Sequence, residues 1–595
     1  MNRLLVIGGA SFDVLHLENR TVECLGGAGM YTAMAARRSG AEVSLFGPRP
    51  DPLPECLKAV AGHLVEWLGP LIPPEQMLQI EIDYRGGKTE YLKTSLEAET
   101  TLSTKDLPSD LSKYDLVHVT PLGDASRQYS FIQKCRALGA KKISAGTGLF
   151  IVDQQAEIVC EVIRQSDYFF MNLQEAEALF GSLESTQAGP GKVIFVTLGS
   201  QGACIIQGAY SYFIPGVLTT ELDPTGAGDT FCGATLANLL QVTHPVMAAR
   251  CASALAAEMI TRVGPNSLLL DDPPPEPPHD PRVQVDREQV QKVAQLISTL
   301  PEATPFPFVL PFLPPAGHPQ ALDNFFAFTL QQFGFWTVKN NHYHQSLIAR
   351  IGGAELKGTD YLWAAYWRRI ERDPEFVFPE RQANLSRGEL LQVFRADDGT
   401  DPMPALDLHL EQAHQYGRDM LALQLMPQAV LEKVLSSGNP LQTFMVLLDQ
   451  IGGYKEDPLR KKSALLAMIL NQRPEGFLPL REDEQIPPVI DYHAMRSCLR
   501  FGLVEVLDDA LRSKLRDRQI VSPDEEWAVR YTAYRAVEAL VELSSKSMGA
   551  VDWFLYSARG RCPEMSEPDC PSCQMDPVCA HRVELFQPVL RTSFY

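Results

Sequence analysis

The chain offers no uninterrupted apolar run of the roughly 20 residues that a bilayer-spanning helix needs. Met1 leads directly into the apolar stretch 4–7, without the layout of a signal peptide. Positive charge is in short supply. Lys and Arg number 53 against 73 Asp and Glu, a formal net charge of −20. That balance argues against a broad nucleic-acid or anionic-membrane surface, while leaving room for a local basic pocket. There is no P-loop pattern and no internal repeat. Of the 12 cysteines, eight are scattered and form no disulfide framework. A reducing, cytoplasmic setting is therefore expected.

At 595 residues the chain exceeds one ordinary core, so two or more domains are expected. Residues 1–268 alternate short β-rich runs with helical stretches. This predicts an α/β fold on a largely parallel sheet. The polar, strand-like segment 79–94 reads as a small lid. Residues 269–284 hold a linker centred on D-D-P-P-P-E-P-P-H-D-P at 271–281, a stiff extended spacer. From there to residue 595 helical periodicity dominates, at 287–300, 322–333, 361–371, 386–394, 404–422, 458–470, 492–501 and 528–543. An all-α second domain, 285–595, is expected.

The densest chemistry lies at 223–231, D-P-T-G-A-G-D-T-F. Gly226, Ala227 and Gly228 leave backbone N–H groups uncovered ahead of a helical stretch at 231–240. Such a cradle suits an anion. Asp229 follows it directly, and a base beside a phosphate site is what phosphoryl transfer to a hydroxyl requires. The same turn can also be purely structural.

The nine-residue string resembles the second signature of the ribokinase-like (PfkB) family of carbohydrate and nucleoside kinases. Other segments agree in order over residues 1–268. V-I-G-G-A-S-F-D at 6–13 resembles the family's first strand, and the segment 26–47 its first signature. N-L-Q-E at 172–175 resembles its N-x-x-E motif, and V-T-L-G-S-Q-G-A at 196–203 the strand and turn beside the nucleotide. The resemblance implies a ribokinase-like three-layer domain using ATP and Mg2+. Asp229 would be the general base. Thr225, Gly226, Ala227 and Gly228, with Thr197 and Gly199, would form the anion hole and ATP site. Asn172 and Glu175 would organise magnesium, although the pair also reads as a helix cap. Asp13, Gly26, Gly27 and Tyr31 would bind the acceptor. Tyr31 stands where the family usually has an Asn that contacts the sugar, and 143–153 lacks the Asp and Arg often found there. An atypical acceptor pocket is implied.

Near the C-terminus Cys562, Cys570, Cys573 and Cys579 give C-x7-C-x2-C-x5-C, a spacing that can wrap one metal centre. P-V-I-D-Y-H-A-M-R-S-C-L-R-F-G-L-V at 488–504 resembles the segment of helix-hairpin-helix DNA glycosylases that carries the catalytic Asp, here Asp491. In endonuclease III-like members a similar four-cysteine loop follows. The resemblance implies a glycosylase-like fold and a 4Fe-4S cluster, with Zn2+ as the alternative. An N-cap aspartate beside a structural zinc loop is the plainer reading. No L-P-G-x-G hairpin precedes Asp491, which speaks against duplex DNA as substrate. Residues 323–337 and 358–371 are similar to the queuosine salvage family, whose members hydrolyse a modified nucleoside 5′-phosphate. Phe335, Trp336, Trp363 and Trp367 would then supply a stacking pocket, or else helical core.

The expectation is a kinase for a sugar or nucleoside hydroxyl, joined to a domain that cleaves the resulting nucleotide in modified-base salvage. The small-molecule substrate is the expected partner, with neither membrane nor nucleic acid; a homodimer fits the same reading. Two alternatives stand beside it. One is a carbohydrate kinase with a non-catalytic binding or regulatory domain. The other is a nucleic-acid glycosylase or binding protein with a degenerate kinase fold.

Overall fold

The computed structural model describes residues 2–85, 90–95, 97–301 and 303–595. The chain divides into two compact units, 1–278 and 279–595.

The first unit is built on a nine-stranded sheet among the described residues. From one edge its strands run Tyr210–Pro215, Gly202–Gln207, Val193–Thr197, Tyr168–Asn172, Ile143–Gly146, Leu116–Val119, Arg3–Ile7, Glu42–Phe46 and Glu66–Leu68. The seven strands from Val193–Thr197 onward pair in parallel; the two at the start of that order pair antiparallel. Parallel strands are covered on both faces and so are apolar throughout. In Arg3–Ile7, Leu4 and Val6 enter one core while Leu5 and Ile7 enter the other. Helices Ala28–Arg38 and Ala227–Leu240 lie together in the first of these cores. Gly233 lets them touch, because a Cβ there would sit 2.1 Å from the Thr32 carbonyl oxygen. A smaller sheet of Arg20–Gly26, Ser11–Leu17, Leu78–Asp83 and Glu90–Ser95 stands apart. The expected lid at 79–94 falls on its last two strands, apart from residues 86–89, which lie outside the described residues.

The proline-rich stretch is anchored at both ends. Arg37 binds the Leu270 carbonyl (2.8 Å) and the Asp271 carboxylate. Val283–Val285 already pairs with Val504–Val506 of the second unit.

The second unit is mainly helical around one large core. The all-α expectation is corrected: besides Val283–Val285 with Val504–Val506, two hairpins occupy 336–357. They are Trp336–Lys339 with His342–Ser346, and Ile348–Ile351 with Ala354–Lys357. Their turns are Asn340–Asn341 and Gly352–Gly353, all four residues at positive φ, the geometry of tight two-residue hairpins. The helix expected at 322–333 accordingly stops at Thr329. Among the described residues no helix is long and apolar enough to cross a membrane.

Candidate active sites

In the first unit the residues of the 223–231 string converge on one helix start. Asp223 is fully buried and accepts from Thr225 N (2.9 Å) and Gly264 N (2.8 Å), fixing the turn. Gly226 caps the helix at φ 76°, a left-handed conformation that glycine adopts without cost. The helix begins at Ala227, earlier than the periodicity at 231–240 suggests, so Asp229 lies in its first turn. Burial pushes the Asp229 carboxyl up to about 6. Tyr31, 1% exposed, packs its ring under Gly226. Its hydroxyl has no hydrogen-bond partner among the described residues.

Asp13 is buried with its carboxylate against Gly26 and accepts from the Ser11 hydroxyl at 2.5 Å. Burial raises it to about 6; the Ser11 bond opposes the rise and the charge of Asp223 adds to it. Gly27, at φ 98°, opens the helix Ala28–Arg38 that carries Tyr31. Asn172 and Glu175 form a reciprocal helix cap. Glu175 N donates to Asn172 Oδ1 (2.9 Å), and the Asn172 N–H and amide donate to the two Glu175 oxygens (2.8 and 2.9 Å). Burial raises Glu175 to about 7, and the nearby negative charge of Asp229 contributes. A divalent cation set between these carboxylates would offset both penalties, so the donor set fits a hard, oxygen-preferring ion such as magnesium. Thr197 lies beside Asn172 in the sheet register, and Gly199 opens the following turn at φ 59°. Both stand at the carboxyl ends of parallel strands, where α/β folds bind ligands.

Two residues of this site have no sequence signal of their own. The Tyr84 hydroxyl lies 2.9 Å from Thr225 Oγ1, tying the end of a lid strand to the anion turn. Tyr91, on the partner strand, lies within electrostatic range of Asp229, Asp13 and Glu175. Both are tyrosines in a polar strand pair, and only the folded arrangement brings them over the site.

The second unit holds a cavity of about 390 Å³. Asp491, Asp552, Lys461, Asp360 and Arg559 are the charged residues of its lining. Asp491 is the N-cap of Tyr492–Phe501 and accepts from Ala494 N at 2.8 Å. Burial pushes the Asp552 carboxyl up to about 8; the charge of Asp491 adds to this and Lys461 opposes it. Burial also lowers the Lys461 ammonium, against the pull of Asp491. The aromatic wall differs from the one expected. Of Phe335, Trp336, Trp363 and Trp367, only Trp363 lines the cavity. Phe335 belongs to the main core and Trp336 packs with Tyr343, Phe586 and Val589, because the hairpin turns them away from the helix face. Trp367 meets His318 edge-on at 5.1 Å. The wall comes instead from Phe306 and Phe308, on an irregular segment, and from Trp553 and Tyr556. Phe306 stacks on Trp553 at 4.1 Å and 12°.

The four cysteines share one neighbourhood. Burial raises Cys579, and Cys573, Cys562 and Cys570 each add to the rise. Arg500 Nη1 donates to Cys562 Sγ at 3.1 Å, a contact that fits a metal-bound thiolate. Cys570 also stands with Asp576 and His581, their donor atoms all within 4.8 Å of one another.

With this geometry in view, the comparisons fall on the first unit. Residues 87–272 match the pfkB family carbohydrate kinase. A fructokinase from Vibrio alginolyticus is 26% identical over 275 residues, covering 42% of this chain and 88% of that protein. A cytidine kinase from Thermococcus kodakarensis is 23% identical over 246 residues, covering 39% of this chain and 87% of the relative. Among solved structures, ribokinase from Cryptococcus neoformans in complex with ADP is 17% identical, with a TM-score of 0.40 over 45% of this chain and 96% of its own. The N-terminal half thus carries the pfkB carbohydrate kinase pattern, and the two relatives named above are kinases.

Proposed function

We propose that the first unit transfers the γ-phosphoryl group of ATP to a hydroxyl of a sugar or nucleoside. The carrying observation is Asp229 in the first turn of the helix that Gly226 caps, where the Ala227 N–H is already engaged by the Pro224 carbonyl at 3.1 Å. The Asp229 carboxylate takes the proton of the acceptor hydroxyl as its oxygen attacks phosphorus. The Gly226 and Gly228 amides stabilise charge on the transferred group. Asn172 and Glu175 would hold magnesium, which when bound would neutralise phosphate charge. Asp13, Gly26 and Gly27 form the acceptor side, and the expected Tyr31 instead lies buried beneath the Gly226 turn. The relatives' names, a fructokinase and a cytidine kinase, bracket the acceptor class. The test is purified full-length protein with ATP and magnesium against fructose, ribose, cytidine, inosine and guanosine. Transfer to none of them, with ATP also stable, removes the reading.

A second reading belongs to the second unit and rests on its cavity, whose lining combines Asp491 with aromatic side chains. There the Asp491 carboxylate stabilises positive charge on a ribose as an N-glycosidic bond opens. The kinase product, a nucleoside 5′-phosphate, becomes the substrate of this unit, giving free base and ribose 5-phosphate in a salvage sequence. Cys562, Cys570, Cys573 and Cys579 hold a 4Fe-4S cluster in this reading, with a structural role. The cytoplasm, which keeps thiols reduced, is the compartment that suits it. Chromatography of the kinase mixture over time tests the coupling: monophosphate that accumulates without release of base refutes it.

A further inference from the structure

Two carboxyl groups share the cavity of the second unit, and the reading above uses one of them. Asp491 is an N-cap. One of its oxygens is occupied by Ala494 N. Lys461, which also lines the cavity, lies within electrostatic reach of both carboxyls. Asp552 arrives from a different helix, Met548–Ser557, and sits among apolar and aromatic neighbours. The charged and titratable groups that face it are Asp491, Lys461 and Tyr556; Asp360 and Arg559, 3.7 Å apart, complete the cavity. Burial, with the charge of Asp491 adding to it and Lys461 opposing it, raises the Asp552 carboxyl to about 8, so it carries a proton at neutral pH.

We propose that Asp552 is the proton donor to the leaving base, acting across the sugar from the Asp491 carboxylate. The proposal rests on the reading of the second unit as an N-glycosidase. In the step, the C1′–N bond breaks and its electron pair goes to the base nitrogen. The Asp552 carboxyl proton forms an N–H bond there. Water adds its oxygen to C1′, and its released proton restores the Asp552 carboxyl. Nucleoside 5′-phosphate and water give free base and ribose 5-phosphate, with nothing oxidised or reduced.

The test uses two probes that differ only in what their leaving group needs. Guanosine 5′-monophosphate must have its base protonated. 4-Nitrophenyl β-D-ribofuranoside 5-phosphate leaves as a stable anion. The parent chain is expected to cleave both and Asp491→Asn neither. Asp552→Asn is expected to keep nitrophenol release within about threefold and to lose guanine release by about 10²–10⁴-fold, the usual effect of a positioned acid. The parent's guanine release should fall above about pH 8, where the donor is deprotonated, while nitrophenol release shows no such limb. If the Asn variant does not fold, Asp552→Glu carries the test, with guanine release retained and its alkaline limb displaced. Equal loss of both probes in Asp552→Asn, or loss of neither, overturns the role of Asp552 while the N-glycosidase reading stands. A parent chain that cleaves neither probe removes that reading and this proposal with it.

Discussion

The contact between Gly226 and Tyr31 makes the sharpest test of the first site. A Cβ at residue 226 would lie 2.5 Å from Tyr31 Cγ and Cδ2 and 2.6 Å from Cδ1. The ring is 1% exposed, so it cannot swing into solvent. Gly226→Ala therefore meets two costs. A left-handed backbone costs a non-glycine residue about 1–2 kcal/mol. Overpacking a closed core costs about 1–3 kcal/mol more. If the turn escapes by moving, roughly 3 kcal/mol corresponds to about a hundredfold loss of transfer, since 1.4 kcal/mol is tenfold. Tyr31→Ala removes the second cost and leaves the first. The double variant should thus be better than the product of the two single losses, with a coupling of about 1–3 kcal/mol. The assay is kcat/KM on the fastest acceptor of the panel for the parent, both singles and the double. Strict additivity, within about 0.5 kcal/mol, would show that the ring does not bear on the turn.

Other outcomes follow from the same geometry. Asp229→Asn should lower phosphoryl transfer by about 10²–10⁴-fold with the fold unchanged by circular dichroism, because the amide keeps the shape and cannot take a proton. Transfer by the parent should rise through about pH 6 as Asp229 ionises; its raised carboxyl is protonated and inactive below that value. Arg530→Met should cost about 3–5 kcal/mol in urea unfolding of the second unit, since it strands Asp457, which accepts from Arg530 at 2.9 and 2.6 Å in a fully buried pair. Asp457→Asn added to it should recover part of that loss. Protein purified without oxygen should contain about four iron atoms per chain by elemental analysis. Cys573→Ser should lower that content, and a single zinc would replace the cluster assignment.

How much was legible depended on distance along the chain. The anion turn was readable because cradle, base and helix are contiguous in 223–231. The Asn172–Glu175 cap was readable for the same reason, since three residues separate the partners. The Tyr31 ring under Gly226 was not, because no local pattern links residues so far apart. Asp491 announced itself as a cap ahead of a periodic helix. Asp552 and Lys461 did not: Asp552 is a lone charge in an apolar helix, and Lys461 is one of three consecutive cations, Arg460 to Lys462. The hairpins of 336–357 were missed although a signal existed: Asn340–Asn341 and Gly352–Gly353 are turn pairs between short strand-forming runs. Trp336, which the resemblance put in a stacking pocket, starts the first of these hairpins and packs with Tyr343, Phe586 and Val589. The cavity's true aromatic wall includes Phe306 and Phe308, in a proline-rich stretch with no period to read.

The helix Tyr492–Phe501 has a consequence for anyone who would shorten this chain. It is about 15 Å long at 1.5 Å per residue. Its first cap is Asp491, and two guanidiniums, Arg496 and Arg500, lie buried along it. Nearly every partner of those cations belongs to the last stretch of sequence: Gln587 at 2.9 Å and Glu564 at 3.5 Å for Arg496, Cys562 Sγ, the Pro563 carbonyl and the Leu585 carbonyl for Arg500. A stop codon placed ahead of Cys562 would look on paper like the removal of an irregular tail. It would in fact leave Arg500 without the acceptors named above and Arg496 with His493 Nδ1 at 3.0 Å, on the rod that carries Asp491. The C-terminal loop is the outer wall of that helix, and the smallest workable form of the second unit includes it.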